Sequence, residues 1–319
     1  MIHPSSTAAS SFASHALQLL QRVQLGISPV ELVYTAHERW PLRPGQTVHT
    51  RPTLRISVFD SSFNPPTLAH LVLANSPPPL SLQPAASTSP ECYDAQMLLL
   101  SVRNADKVVK PGDATLVQRL EMMRLLSHDI RFAGVGTESN SESLQMSSNV
   151  AVGIINEPTF VGKSTVLLRF LRTRMVAFAY SSNGVSDRQD ASCPFPFPKF
   201  TFILGSDTLV RVFSAKYYPS EQTMVQMLRK FLSPDQEDGH IVCAYRGDAD
   251  TDKIFEAGHE FITSCRIAFI DIGAEERTCS SSEVRAKIAA GDGTWRRLVT
   301  DEIANYITQQ RVYLSSGRE

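Results

Sequence analysis

No C-x-x-C pair occurs among the five cysteines, Cys92, Cys193, Cys243, Cys265 and Cys279. Neither a thiolate zinc site nor a dense disulfide framework is therefore encoded, and a reducing compartment, cytoplasm or nucleus, is expected. No block of lysine or arginine stands out: 31 Lys and Arg stand against 32 Asp and Glu, a formal net charge of -1. Neither a nucleic-acid backbone nor a membrane is expected as a partner, and an anionic ligand would need a local site. No apolar run reaches the length of a membrane span; the nearest, Thr165 to Tyr180, is cut by Arg169, Arg172 and Arg174. Acidic residues are missing before Glu31 in a Ser-rich start. That faintly suggests a mitochondrial transit peptide, but a single arginine, Arg22, speaks against it. No histidine pairs with a cysteine or an acid at a metal spacing. What is there, 42% hydrophobic and 20% charged residues over 319 positions, is enough to bury a full core.

Residues 1–53 read as an N-terminal extension, with a helix around Ser14 to Val23 and a Pro/Gly-punctuated link, "WPLRPGQTVHTRPT". From Leu54 strand-like and helical runs alternate. Leu54 to Val58 precedes a helical Thr67 to Asn75, Met97 to Val102 precedes Leu116 to Ser127, and Phe200 to Leu204 precedes Thr208 to Phe213. Ile241 to Tyr245 and Ile267 to Ile270 follow, then helices at Ser282 to Ala290 and Thr300 to Gln309. This alternation predicts an α/β fold, a Rossmann-like doubly wound parallel sheet covered on both faces, over 54–315. Ser/Pro-rich stretches near 76–91, 134–149 and 181–198 read as surface insertions.

Three stretches carry chemistry. "FDSSFNPPTLAH", Phe59 to His70, leaves the first strand through a polar turn, a favoured place for phosphate in an open parallel sheet. Pro65 and Pro66 cannot donate backbone hydrogen bonds, which suits a helix entry and sets its start near Thr67. Thr67 and His70 then share the first turn, beside the positive end of the helix dipole. A helix cap and a packed histidine would look the same locally. "FILGSDTLVRVF" puts Gly205 and Asp207 at another strand exit; glycine permits close approach and the carboxylate can accept from a ribose hydroxyl or ring amide, although Asp207 could also be a plain cap. "CSSSEVRAKIAAGDG" offers three hydroxyls and Arg285 at a helix start, where a capping box of Ser280 and Glu283 would need only one hydroxyl. "EPTFVGKST" ends like a phosphate-binding P-loop, but Glu157 stands where that loop needs glycine.

On these residues the sequence resembles the nucleotidyltransferase superfamily, and within it the nicotinamide mononucleotide adenylyltransferases of a divergent fungal type. The matching positions are Ser61, Ser62, Phe63, Asn64 and Pro65 for the "GSFNP" turn, Thr67 and His70 for "TxxH", Gly205 and Asp207 for "GxD", and Cys279 to Arg285 for "ISSTxIR". The tail "LVTDEIANYITQQRVYL" resembles the closing helix of the same enzymes. The resemblance implies adenylyl transfer from ATP, with Mg2+, to nicotinamide mononucleotide or its deamido form. His70, Thr67 and Arg285 would be catalytic; Ser61, Ser62, Phe63, Asn64, Ser281 and Ser282 would bind ATP phosphates. Gly205, Asp207, Lys107 (or Lys110), Tyr218 and Arg246 would bind ribose or mononucleotide, with Tyr218 in place of a family tryptophan. Ser61 replaces the first family glycine, behind Asp60, whose charge would oppose phosphates. That departure also fits an ATP-binding interaction protein of this fold with weak or lost transfer. A homo-oligomer is left open.

Overall fold

In a computed structural model the described residues are 6–43, 53–83, 92–103, 112–131, 149–182, 196–244 and 251–314. Seven strands form one sheet: β1 (Val30–Thr35), β2 (Thr53–Asp60), β3 (Ala95–Ser101), β4 (Val150–Ile155), β5 (Phe197–Gly205), β6 (His240–Ala244) and β7 (Ile267–Ile270). Ten helices accompany them: α1 (Ser6–Gln24), α2 (Leu68–Asn75), α3 (Leu116–Asp129), α4 (Phe160–Ser182), α5 (Ser206–Val212), α6 (Glu221–Leu232), α7 (Thr251–Thr263), α8 (Ala274–Thr278), α9 (Ser281–Ala289) and α10 (Asp301–Gln309). The strand order is β1-β4-β3-β2-β5-β6-β7, parallel except for β1, which runs antiparallel to β4.

The expected α/β class is the one observed, and the strand sequences show why. Side chains alternate between faces along each strand. Leu54, Ile56 and Val58 of β2, Met97 and Leu99 of β3, and Phe200, Phe202 and Leu204 of β5 enter a core with α4, α6 and α7. Phe59, Leu98, Leu100 and Ile203 enter the opposite core with α1, α3, α9 and α10. Burial on both faces turns these strands into near-continuous apolar runs. No helix among the described residues is long and apolar enough to cross a membrane.

The segment expected as an extension differs. Ala16, Leu20 and Val23 of α1 recur at i, i+4 and i+7 and are buried in the core with α3. β1 covers the open edge of β4, pairing Val30 with Ile155 and Tyr34 with Val152. Trp40 is fully buried and its indole Nε1 donates to Asn149 O at 3.2 Å. Thus residues before the Pro/Gly link already belong to the sheet and core. Of the expected insertions, 84–91, 134–148 and 183–195 lie outside the described residues.

The chain winds outward from β2 to β3 and β4, then returns to the other side of β2 for β5, β6 and β7. The reversal lies between β2 and β5, which pair with Val58 beside Phe202. Their carboxyl ends open a crevice at the switch point, where α/β sheets bind ligands.

Candidate active site

The crevice has a volume of about 830 Å3 and is walled by the turn after β2, the ends of β3 and β5, and the starts of α2, α4, α5 and α9. Its cationic groups, Arg103, Arg119, Lys163, Arg211 and Arg285, outnumber the carboxylates Asp60, Asp113 and Asp207. That balance leaves the crevice wall net cationic while the chain as a whole is near-neutral.

At the centre, the backbone N–H of Thr67 donates to His70 Nδ1 at 3.1 Å. A backbone amide can only donate, so Nδ1 is an acceptor and the ring proton of the neutral imidazole sits on Nε2. Nε2 lies 3.1 Å from Ser61 Oγ on the crevice wall. Thr67 and His70 therefore cap α2 reciprocally, and the same contact orients the imidazole; the cap and the site are one arrangement. The imidazole stacks against Phe59 at 5.5 Å and tilts against Phe63 at 5.3 Å. Phe63 holds φ at 43°, an uncommon conformation for a bulky residue, and is fully buried. Burial of its ring offsets that strain and makes Phe63 a support for the turn rather than a crevice residue.

Asn64 lines the crevice and also ties its wall together. Its side chain donates to Asp113 Oδ1 at 2.8 Å, and its Oδ1 accepts from Ala114 N at 3.3 Å and from the Tyr313 hydroxyl at 2.9 Å. Its carbonyl accepts from Arg285.

The late motif joins here. Thr67 Oγ1, 2.9 Å from the unprotonated His70 Nδ1, donates there and lies 3.3 Å from Cys279 O, and Ser281 Oγ donates to Pro65 O at 2.7 Å. Arg285 Nε lies 3.5 Å from Asp113 Oδ1, and Ser280 alone caps α9, accepting from Glu283 N at 3.1 Å. Ser281 and Ser282 thus remain on the crevice wall with Arg285, as three hydroxyls for one cap suggest. Cys279 contributes its carbonyl; burial and the acids Glu276 and Glu283 push its thiol above the ordinary value, against a nucleophilic role.

Gly205 caps α5, and a Cβ built on it would meet no atom within 4 Å. Packing does not require a glycine there. Asp207, in the first turn of α5, and Tyr218 also line the crevice. The Tyr218 hydroxyl donates to Val212 O at 2.9 Å, and burial pushes its pKa up to about 12, so its ring is the part left to meet a ligand. Lys107, Lys110 and Arg246 lie outside the described residues.

Several wall residues escaped the motif reading. Asp60, expected to oppose phosphates, is ion-paired with Lys163, and both are buried at the crevice. Lys163 is the lysine of the P-loop-like stretch. Glu157 shows why that stretch is no P-loop: its Oε1 accepts from Thr159 N and Oγ1 at the start of α4, where a phosphate would sit. A Cβ at Gly162 would lie 2.3 Å from the Glu157 carboxyl carbon, so a larger residue there would displace that side chain. Asp113 gathers Asn64, Arg119 and Arg285, with Arg119 NH2 at 3.8 Å. The hint for it was the polar "KPGDAT" before a helix.

No family model matches the chain. A protein of Schizosaccharomyces pombe described as "Putative nicotinamide mononucleotide adenylyltransferase" is 29% identical over 266 residues, 79% of this chain and 83% of that protein. A solved structure, Plasmodium falciparum nicotinic acid mononucleotide adenylyltransferase complexed with APC, superposes with a TM-score of 0.42 at 13% identity, covering 82% of this chain and 97% of that one. Three motifs thus meet in one crevice, in a chain that is similar over most of its length to a protein described as a nicotinamide mononucleotide adenylyltransferase.

Proposed function

We propose that the chain transfers the adenylyl group of ATP to nicotinamide mononucleotide or its deamido form. A 5'-phosphate oxygen of the acceptor attacks the α-phosphorus of ATP, a new P–O bond forms, and the bond to the β-phosphate oxygen breaks to release pyrophosphate. The carrying observation is the convergence of His70 Nε2, Ser61, Ser281, Ser282 and Arg285 on one crevice. Donors aimed at phosphate oxygens are what this transfer needs, because positioning and charge neutralisation do most of the work.

His70 donates from Nε2 to phosphate oxygens of ATP, in the orientation that the Thr67 amide imposes. Ser281, Ser282 and Arg285 hold the leaving pyrophosphate, tied to the β2 turn through Pro65 O and Asn64 O. Gly205 leaves room for a nucleoside, Asp207 accepts from a ribose hydroxyl or ring amide, and Tyr218 offers its ring to the base.

The donor set fits a Mg2+ ion that arrives on the triphosphate. No group of three His, Cys, Asp or Glu converges among the described residues. Asp60 is paired with Lys163, and Asp113 with Arg119 and Arg285. Phosphate oxygens and waters suit Mg2+ as ligands; bound there, it would neutralise phosphate charge.

The deciding experiment measures pyrophosphate release from Mg-ATP with and without nicotinamide mononucleotide, for wild type and His70→Ala. Release should need the mononucleotide and fall by about 100-fold or more in the variant. ATP binding without release would sink the transferase and favour a nucleotide-binding interaction protein of the same fold.

A further inference from the structure

The reaction leaves one built feature of the crevice unused. Lys163 and Asp60 form a buried ion pair on its wall, their side chains 4% and 8% exposed. The Lys163 ammonium lies 4.5 Å from the centre of the Phe160 ring, which lines the same wall.

The fold gives no reason for this lysine. It stands in the first turn of α4, where the positive end of the helix dipole disfavours a cation. Buried ion pairs seldom add net stability, because desolvation offsets the attraction. Apolar neighbours such as Phe160 and Val161 show that a hydrophobic side chain would pack there.

Position indicates which substrate it meets. Lys163 comes from α4, which packs in the core on one face of the sheet, whereas α9, which carries Ser281, Ser282 and Arg285, packs in the core on the other face. The proposed pyrophosphate grip and Lys163 therefore reach the β2 end and its turn from helices on opposite faces of the sheet, through Pro65 O and Asn64 O on one side and Asp60 on the other. Asp60 is followed directly by Ser61, whose hydroxyl meets His70, so the ammonium adjoins the place where acceptor and α-phosphorus must meet.

We infer that Lys163 binds an anionic group of the acceptor nucleotide, and that Asp60 is its resident counter-ion, beside which the ligand's anion binds. This rests on the adenylyl-transfer reading. It also removes the objection raised by Asp60: the carboxylate does not face an incoming phosphate alone but shares a lysine with it.

The test is steady-state kinetics of the full chain with each substrate varied in turn, for wild type, Lys163→Met, Asp60→Asn and the double variant. Lys163→Met alone leaves a bare buried carboxylate and would weaken anions on any model, so the double variant decides. With the cation as ligand, the double variant keeps an acceptor KM raised by about tenfold to a hundredfold, the worth of one charge-assisted hydrogen bond, while the ATP KM stays within about threefold by the same scale. Nicotinamide mononucleotide and nicotinic acid mononucleotide identify the anion. An equal rise assigns the phosphate, and a rise for the acid alone assigns the ring carboxylate; either supports the inference. A double variant with the wild-type acceptor KM, or one altered only toward ATP, overturns it and makes the pair a structural one. A wild type that releases no pyrophosphate with either acceptor sinks the transferase reading and the inference with it, a result distinct from a working wild type with an unaffected double variant.

Discussion

The hydroxyl of Tyr313 donates to Asn64 Oδ1 at 2.9 Å, joining residues 249 apart in the chain inside a buried contact. The last described turn of the protein thereby holds the turn that precedes α2. Burial pushes the Tyr313 phenol well above its ordinary value, so it stays a donor throughout the physiological range. Tyr313→Phe leaves the Asn64 oxygen with only the Ala114 amide. It should lose about 1 kcal/mol of stability, read by urea denaturation, with a fall in kcat/KM as the turn loosens. Unchanged stability would mean that water replaces the hydroxyl.

Ser281→Ala tests the joint between the two phosphate motifs. The lost hydrogen bond to Pro65 O lies at a partly exposed site, so stability should fall by about 1 kcal/mol or less. The hydroxyl is also proposed to hold the leaving pyrophosphate, so turnover should fall by about tenfold or more. Equal, small effects on both would assign Ser281 to structure only.

Gly205→Ala separates ligand space from packing. The added methyl meets no protein atom and φ is -87°, so the fold should lose about 1 kcal/mol at most, the difference between glycine and alanine at a helix start. Nucleotide affinity should drop by about tenfold if the nucleoside approaches that backbone closely. Calorimetric titration with ATP and with the mononucleotide would show which ligand is affected.

The pH dependence of stability should have a component far from the site. His240, at the amino end of β6, has its pKa lowered to about 4 by burial and by Arg266 and Lys199, with Asp238 opposing. Arg266 NH1 lies 3.1 Å from its Nε2, and a guanidinium can only donate, so Nε2 accepts. The unfolded imidazole binds its proton near 6.5 and the folded one does not. The stability conferred by the neutral form is therefore complete above pH 6.5 and lost as pH falls toward 4, with a slope of at most about 1.4 kcal/mol per unit. His37, also lowered by burial, adds in the same direction. Urea denaturation between pH 4 and 7 should show this slope, and His240→Gln should reduce it. An unchanged slope in the variant would assign it to other groups.

Local pattern was enough for most of the fold. The apolar runs that became β2, β3, β5, β6 and β7, and the capped helices α2, α3, α9 and α10, lie within a few residues of where the sequence put them, because side-chain alternation and helix-start chemistry act over a few residues. Two of the crevice motifs were readable for the same reason: Thr67 with His70, and the serines with Arg285, are each confined to one turn. β1 was not, since a six-residue strand before a Pro/Gly link has nothing local to show that it pairs with β4 over a hundred residues later. Lys163 with Asp60, Asp113 with Arg119 and Arg285, and Tyr313 with Asn64 were not either. Each of these contacts depends on where the sheet brings distant strand ends together. The balance of charge on the crevice wall is decided by those contacts: a lone Asp60 in the sequence opposes phosphate, and the same Asp60 beside Lys163 does not, because the energy of a charge depends on its neighbours in space.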